Sequence, residues 1–247
     1  MVVQGLDQLK VPIAVRKDLE DFVSQLLDFY KGDLVSVTVF GSAVSGDYAE
    51  ATSDLNLLVI YSDLNIADLG AVAKLAQRWL RKRKFMPRFL SLRNLTASSR
   101  FFQIDLLEMR DAHVVLYGED VLAGIPIRPA DMYWQLAHEI KRMRMRIKQQ
   151  FWRAAGDPKL MRLILLQRFS SLVHLLRVLL FLRNKPTPLP PHEVVEAAVR
   201  ELNVDPEFAR EMFAWKAGKA KPDPVGAFSK LMEMIRLIDA EVDRLGV

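Results

Sequence analysis

Apolar side chains at Val15, Leu19, Phe22, Leu26 and Leu27 recur at helical spacing within residues 13–30 and predict an amphipathic helix. Lys31-Gly32-Asp33 follows, with Gly32 as the expected stop. The next seven residues, LVSVTVF at 34–40, alternate apolar and polar positions and are rich in β-branched side chains, which predicts a strand. A turn-rich segment, 41–53, separates it from DLNLLVIY at 54–61. The last five residues of that run are almost continuously apolar, the pattern of a strand buried on both faces. Residues 67–84 read as a helix ending in the basic run Arg81-Lys82-Arg83-Lys84. Pro87–Leu92 reads as a short strand and Phe102–Met109 as a further one, and Leu116-Tyr117-Gly118 leads out of this half.

Beyond Pro126 and Pro129 the pattern is helical throughout, at 131–154, 158–184, 191–203, 206–217 and 223–245, with a loop at Pro186, Pro188, Pro190 and Pro191. The expected architecture is α+β. A domain with a short mixed β-sheet spans 1–126, and an α-helical bundle spans 127–247. The longest apolar stretch, Leu160–Leu182, carries Arg162, Arg168, His174 and Arg177, which hydrocarbon would penalise. It is expected to be the central helix of the bundle and not a membrane span.

Composition narrows the chemistry. At 51% apolar and 26% charged, the 247 residues can bury a substantial core. There is no cysteine, which excludes disulfides, zinc–thiolate sites and thiol nucleophiles and fits a cytoplasmic address. Met1–Lys10 lacks the basic and apolar regions of a signal peptide. Charge is uneven: residues 1–128 hold 15 Lys and Arg against 16 Asp and Glu, whereas the remainder holds 20 against 14. A cationic helical half suits an anionic partner, although a solvated surface explains it equally simply. Ile140, Met143 and Ile147, ringed by Lys141, Arg142, Arg144 and Lys148, read as a core stripe with a solvated basic flank.

The informative join is Phe40-Gly41-Ser42, then eleven residues, then Asp54-Leu55-Asn56. A Gly-Ser pair leaving a strand lets backbone approach phosphate oxygens, and Ser42 adds a hydroxyl donor. Asp54 and Asn56, two apart on a strand, share a face. Asp105 joins them if its segment is a neighbouring strand. Oxygen ligands so placed would suit one or two Mg²⁺ ions beside a nucleoside triphosphate.

The segment VFGSAVSGDYAEATSDLNLLVIY resembles the signature of the DNA polymerase beta-like nucleotidyltransferase superfamily, and the later stretch through LEMRDAHVVLYGED resembles its small prokaryotic members. The resemblance covers about residues 10–125. It implies that Gly41 and Ser42 hold the triphosphate and that Asp54 and the position of Asn56 ligate metal. It further implies that Asp105 is the third carboxylate, ligating metal and helping to deprotonate the acceptor. The implied reaction is attack of a hydroxyl on the α-phosphate, releasing pyrophosphate, with Mg²⁺ as cofactor and a nucleoside triphosphate as substrate. The implied acceptor is a small molecule or a protein. No membrane partner is expected, given the charges in Leu160–Leu182; a nucleic acid stays open but unsupported, and so does a homodimer.

The sequence departs from this pattern at Asn56, where the superfamily has a second Asp. Two unit charges 4 Å apart interact by about 4 kcal/mol at an effective dielectric of 20, so the missing charge weakens metal binding unless Asp47, Glu50 or Glu108 compensates. Two expectations follow: a metal-dependent transferase, or a catalytically impaired homologue acting as a nucleotide- or protein-binding regulator of antitoxin-like kind. In the helical half, Arg168 and His174 resemble the Arg–His element of helical ribonuclease domains. Six residues turn a helix by about 240°, so the two would not share a face.

Overall fold

The computed structural model describes residues 3–246 apart from 31, 47, 49–53, 63–72, 75–76, 80, 82–84, 155, 189 and 203–204. The chain forms two compact units, Met1–Ile127 and Arg128–Val247.

In the first unit, helix α1 (Ile13–Tyr30) precedes strand β1 (Leu34–Phe40), a short helical turn α2 (Ser42–Ser45) and strand β2 (Leu55–Tyr61). Strand β3 (Phe85–Ser91), helices α3 (Leu92–Ser98) and α4 (Gln103–Asp111), and strand β4 (His113–Gly118) complete it. The sheet order is β3-β2-β1-β4. β1 runs antiparallel to β2 and β4, whereas β2 and β3 run parallel, so the sheet is mixed. The helix expected over 67–84 lies largely outside the described residues; Ala73, Lys74 and Gln77–Trp79 within it are helical.

Both faces of the sheet are covered. On one, Val37, Val39, Leu55, Leu57, Val59, Tyr61 and Phe85 pack with Val15, Leu19, Phe22, Val23 and Leu26 of α1. On the other, Phe40, Leu58 and Ile60 pack with Leu95 of α3, Leu106 and Met109 of α4, and Leu122 and Ile125. Two-sided burial is why β2 needs apolar side chains at successive positions. Asn56 is the polar exception within it, and it is half-buried.

Residues 102–109 are not the expected strand. Gln103–Asp111 form helix α4, which buries Gln103, Leu106, Leu107 and Met109 at three- and four-residue spacing. The alternation Ile104-Asp105-Leu106 is too short to separate period 2 from period 3.6. Tertiary anchoring decides: the Gln103 side-chain amide donates to the carbonyls of Ser99, at 2.9 Å, and Pro126, at 3.3 Å. The fourth strand is instead HVVLYG, whose β-branched pair Val114-Val115 lies against β1.

The second unit contains helices α5 (Pro129–Arg153), α6 (Pro158–Leu182), α7 (Pro191–Leu202), α8 (Pro206–Lys216) and α9 (Pro224–Leu245). Asp157, Asp205 and Asp223 each accept a backbone N–H at a helix start, directly before a proline in the first turn. Aspartate satisfies the orphan amides there, and proline lacks the N–H that would otherwise go unbonded. Helix α6 is long and apolar enough to cross a membrane by length and composition, yet it packs against the other four helices and buries most of its surface. Ile140, Met143 and Ile147 are core, as the stripe predicts.

A polar tie joins α5 to α9. Buried Asp239 accepts from Lys141 Nζ at 2.9 Å and from Arg144, and Asp243 takes a further Lys141 hydrogen bond. The hydrogen bonds to Asp243 and Asp239 hold the Lys141 ammonium above its ordinary pKa. Asp239→Asn leaves the shape and removes the charge. It should lower the unfolding free energy of this unit by about 1–3 kcal/mol, read as a lower urea midpoint at unchanged slope.

Candidate functional site

β1 ends at Phe40, and the backbone breaks sharply at Gly41, with φ 79° and ψ −141°. The amides of Val44 and Ser45 return to the Gly41 carbonyl, and the Gly41 N–H donates to Ala112 at 2.9 Å, fixing the corner to the start of β4. Ser42 follows, half-buried.

Pairing of β1 with β2 sets Phe40 opposite Asn56. A Cβ added to Gly41 would come within 3.3 Å of Asn56 Nδ2. The Gly-Ser corner and the amide therefore adjoin, as the spacing of the two motifs implies. Asp54 is exposed and lies immediately before β2.

The strand beside β2 is β3, not the segment carrying Asp105. In their parallel register Asn56 meets Met86 and Leu58 meets Arg88. The Arg88 guanidinium lies 5.4 Å from the Phe40 ring centroid, on the same side of the sheet as Phe40 and Leu58. Asp105 reaches that side from the first turn of α4, which docks there through Leu106 and Met109. Its carboxylate meets Arg88 Nη1 at 2.9 Å, with the two side chains 44% and 50% exposed. The pair is thus hydrated and openable, since exposed ion pairs contribute only about 0–1 kcal/mol. Of the residues expected to compensate Asn56, Glu108 lies one turn beyond Asp105 on α4, while Asp47 and Glu50 fall outside the described residues.

Sequence reasoning missed Arg88 because Pro87 and the masked period of a short strand hid which residues face the site. Register supplies the signal, since alternate β3 residues follow the faces of β2. Across β1 from Asn56, His113 is the partner of Phe40. Its Nδ1 contacts the Arg110 carbonyl at 2.8 Å and its Nε2 contacts Asp120 at 3.1 Å. Burial alone would raise the Asp120 pKa, but the His113 hydrogen bond and the amides of Ala123 and Leu122 hold it below the ordinary value.

Mg²⁺ is commonly held by one or two carboxylates together with substrate phosphates and water. Asp54 and the side-chain oxygen of Asn56 meet that minimum for one ion arriving with a nucleotide. Among the described residues β3 brings a guanidinium to this side, and Asp105 is paired with it. Among the described residues no three His, Asp or Glu side chains gather as a metal set. In the helical unit, Arg168 Nε donates to Gln150 at 2.9 Å and His174 is exposed.

No family model matches the chain, and no curated sequence matches it. Among solved structures, the chain is similar to spectinomycin adenyltransferase AAD(9) from Enterococcus faecialis, solved with ATP and spectinomycin. The TM-score is 0.60 at 12% identity, over 92% of this chain and 99% of that one. The fold is nucleotidyltransferase-like. At this identity the likeness concerns fold alone, and it agrees with the α+β class expected from the sequence.

Proposed function

We propose that the first unit takes a nucleoside triphosphate at the Gly41–Ser42 corner and that the protein transfers the nucleoside monophosphate to a hydroxyl acceptor. The observation that supports this most is the adjacency of the corner to Asn56 at the mouth of β2, with Asp54 two residues earlier. The similar fold of an adenyltransferase solved with ATP and spectinomycin supports it at a coarser level.

In this reading the backbone at Gly41 comes close to phosphate oxygens, and Ser42 donates its hydroxyl to one. Asp54 and Asn56 would hold Mg²⁺, which would polarise the phosphate and offset its charge. The acceptor oxygen attacks the α-phosphorus, the α–β phosphoanhydride bond breaks, and pyrophosphate leaves with that electron pair. The acceptor's proton passes to a carboxylate, Asp54 or an Asp105 released from Arg88, or to water. The acceptor is a small molecule or a protein carrying a free hydroxyl.

A second reading, nucleotide binding without transfer, is favoured by one observation: the cationic Arg88 and amide Asn56 where a carboxylate set is expected. Incubation with α-phosphate-labelled ATP, Mg²⁺ and a panel of hydroxyl compounds separates the two. Labelled acceptor with stoichiometric pyrophosphate supports transfer; bound nucleotide with no pyrophosphate for any base supports the second reading.

Gly41→Ala tests the corner itself. The positive φ strains a Cβ-bearing residue by about 1–3 kcal/mol, and the added carbon crowds Asn56. Nucleotide affinity should fall at least tenfold by calorimetry, and unchanged affinity would place the phosphates elsewhere.

A further inference from the structure

The negative charge of this site is reduced relative to a carboxylate cluster, and the reduction is shared between two strands. On β2 an amide replaces a negative charge at Asn56. On β3, the parallel neighbour, Arg88 adds a positive charge on the same sheet face, 5.4 Å from the Phe40 ring that leads into the Gly41 corner. Three carboxylates repel a triphosphate until metal ions neutralise them. Asp54, Asp105 and Arg88 together leave one negative charge where three carboxylates would leave three, so here the phosphates meet a smaller barrier.

We propose that Arg88 is a polyphosphate ligand that takes over part of the work of a second metal ion, with Asp105 as its counter-ion when no nucleotide is bound. This rests on the nucleotide reading given above. A guanidinium presents several donors in a planar fork and can grip two phosphate oxygens together. Phe40 lies under it and Asp105 orients it, so little side-chain freedom remains to be lost on binding. The half-exposed pair with Asp105 opens readily, and a triphosphate offers more negative charge than the one carboxylate it displaces. Asp105 then acts as a competitor for Arg88 and not as a metal ligand. A purely structural clasp between β3 and α4 is the alternative, and it has no reason to respond to phosphate.

The test is ATP binding measured by calorimetry in excess EDTA and again in Mg²⁺, at low and high salt. The wild-type protein should bind ATP in EDTA, with affinity falling as salt rises. Arg88→Gln should bind at least tenfold more weakly in EDTA and lose part of the salt dependence. Arg88→Lys keeps the charge without the fork and should recover only part of the affinity; it decides the matter if the glutamine variant does not fold. Asp105→Asn, which frees Arg88, should bind several-fold more tightly in EDTA, an outcome a structural clasp would not produce. ATP binding that requires Mg²⁺ and is indifferent to Arg88 would overturn this inference and leave the nucleotide site standing. No binding of any nucleoside triphosphate under either condition would overturn both.

Discussion

Phe22→Ala is expected to lower the unfolding free energy of the first unit by about 3–5 kcal/mol, the usual range for emptying a buried aromatic position. Phe22 is fully buried at the centre of α1. It meets Trp79 and Phe85 edge-on, with ring centroids 6.0 Å and 5.5 Å away, while those two rings stack at 5.4 Å. Truncation removes contacts to the sheet and to the segment joining β2 to β3 together, and the two rigid aromatic neighbours cannot collapse into the gap without losing their own contacts. Urea unfolding, followed with hydrogen exchange of α1 amides, should place the loss in residues 1–127. A cost under about 1 kcal/mol would show that α1 is not what closes this face of the sheet. Because Phe22 lies on the face opposite Phe40 and Arg88, ATP affinity of the protein that remains folded should be unchanged.

The same packing explains what the sequence revealed and what it hid. Helix α1 and strands β1 and β2 were legible because each writes a long, unambiguous period: Val15, Leu19, Phe22 and Leu26 for the helix, near-continuous β-branched and aliphatic runs for the strands. The helical half was legible for a similar reason, with prolines marking its loop and opening its helices. The stretch around Asp105 was not, because a nine-residue helix with mixed polarity offers too few repeats to identify its period. That error carried into chemistry. Reading Asp105 as a strand residue made it a neighbour of Asp54 and Asn56, whereas register sets Met86 beside Asn56 and Arg88 beside Leu58 on the same face. A partner chosen by strand pairing is a long-range fact, and no local pattern in FMPRFLS announces which strand it will join. The Gly41–Asn56 adjacency was legible because a hairpin-like antiparallel pair brings the end of one strand to the start of the next.

Asp54→Ala is expected to reduce nucleotidyl transfer by about a thousandfold or more, equivalent to about 4 kcal/mol of lost transition-state stabilisation. The size follows from how little negative charge the site holds. Asn56 contributes only an amide, and Asp105 stands on α4 and not on a strand beside β2, so Asp54 is the carboxylate nearest Asn56 among the described residues to meet a cation brought in by the nucleotide. With Asp54 gone, the proposed Mg²⁺ would have an amide and no carboxylate from this pair, too little to fix its position. Binding should respond in the opposite sense: without metal, ATP affinity should rise slightly, since a charge that repels phosphate has been removed. Asn56→Asp supplies the converse, tightening Mg²⁺-dependent binding and weakening binding in EDTA. Steady-state pyrophosphate release and calorimetry on the same samples separate the two effects. Transfer that survives Asp54→Ala at more than a tenth of the wild-type rate would mean that the reacting centre lies elsewhere. A rise in turnover for Asn56→Asp would instead show that the amide, and the charge it withholds, sets the rate of the natural protein.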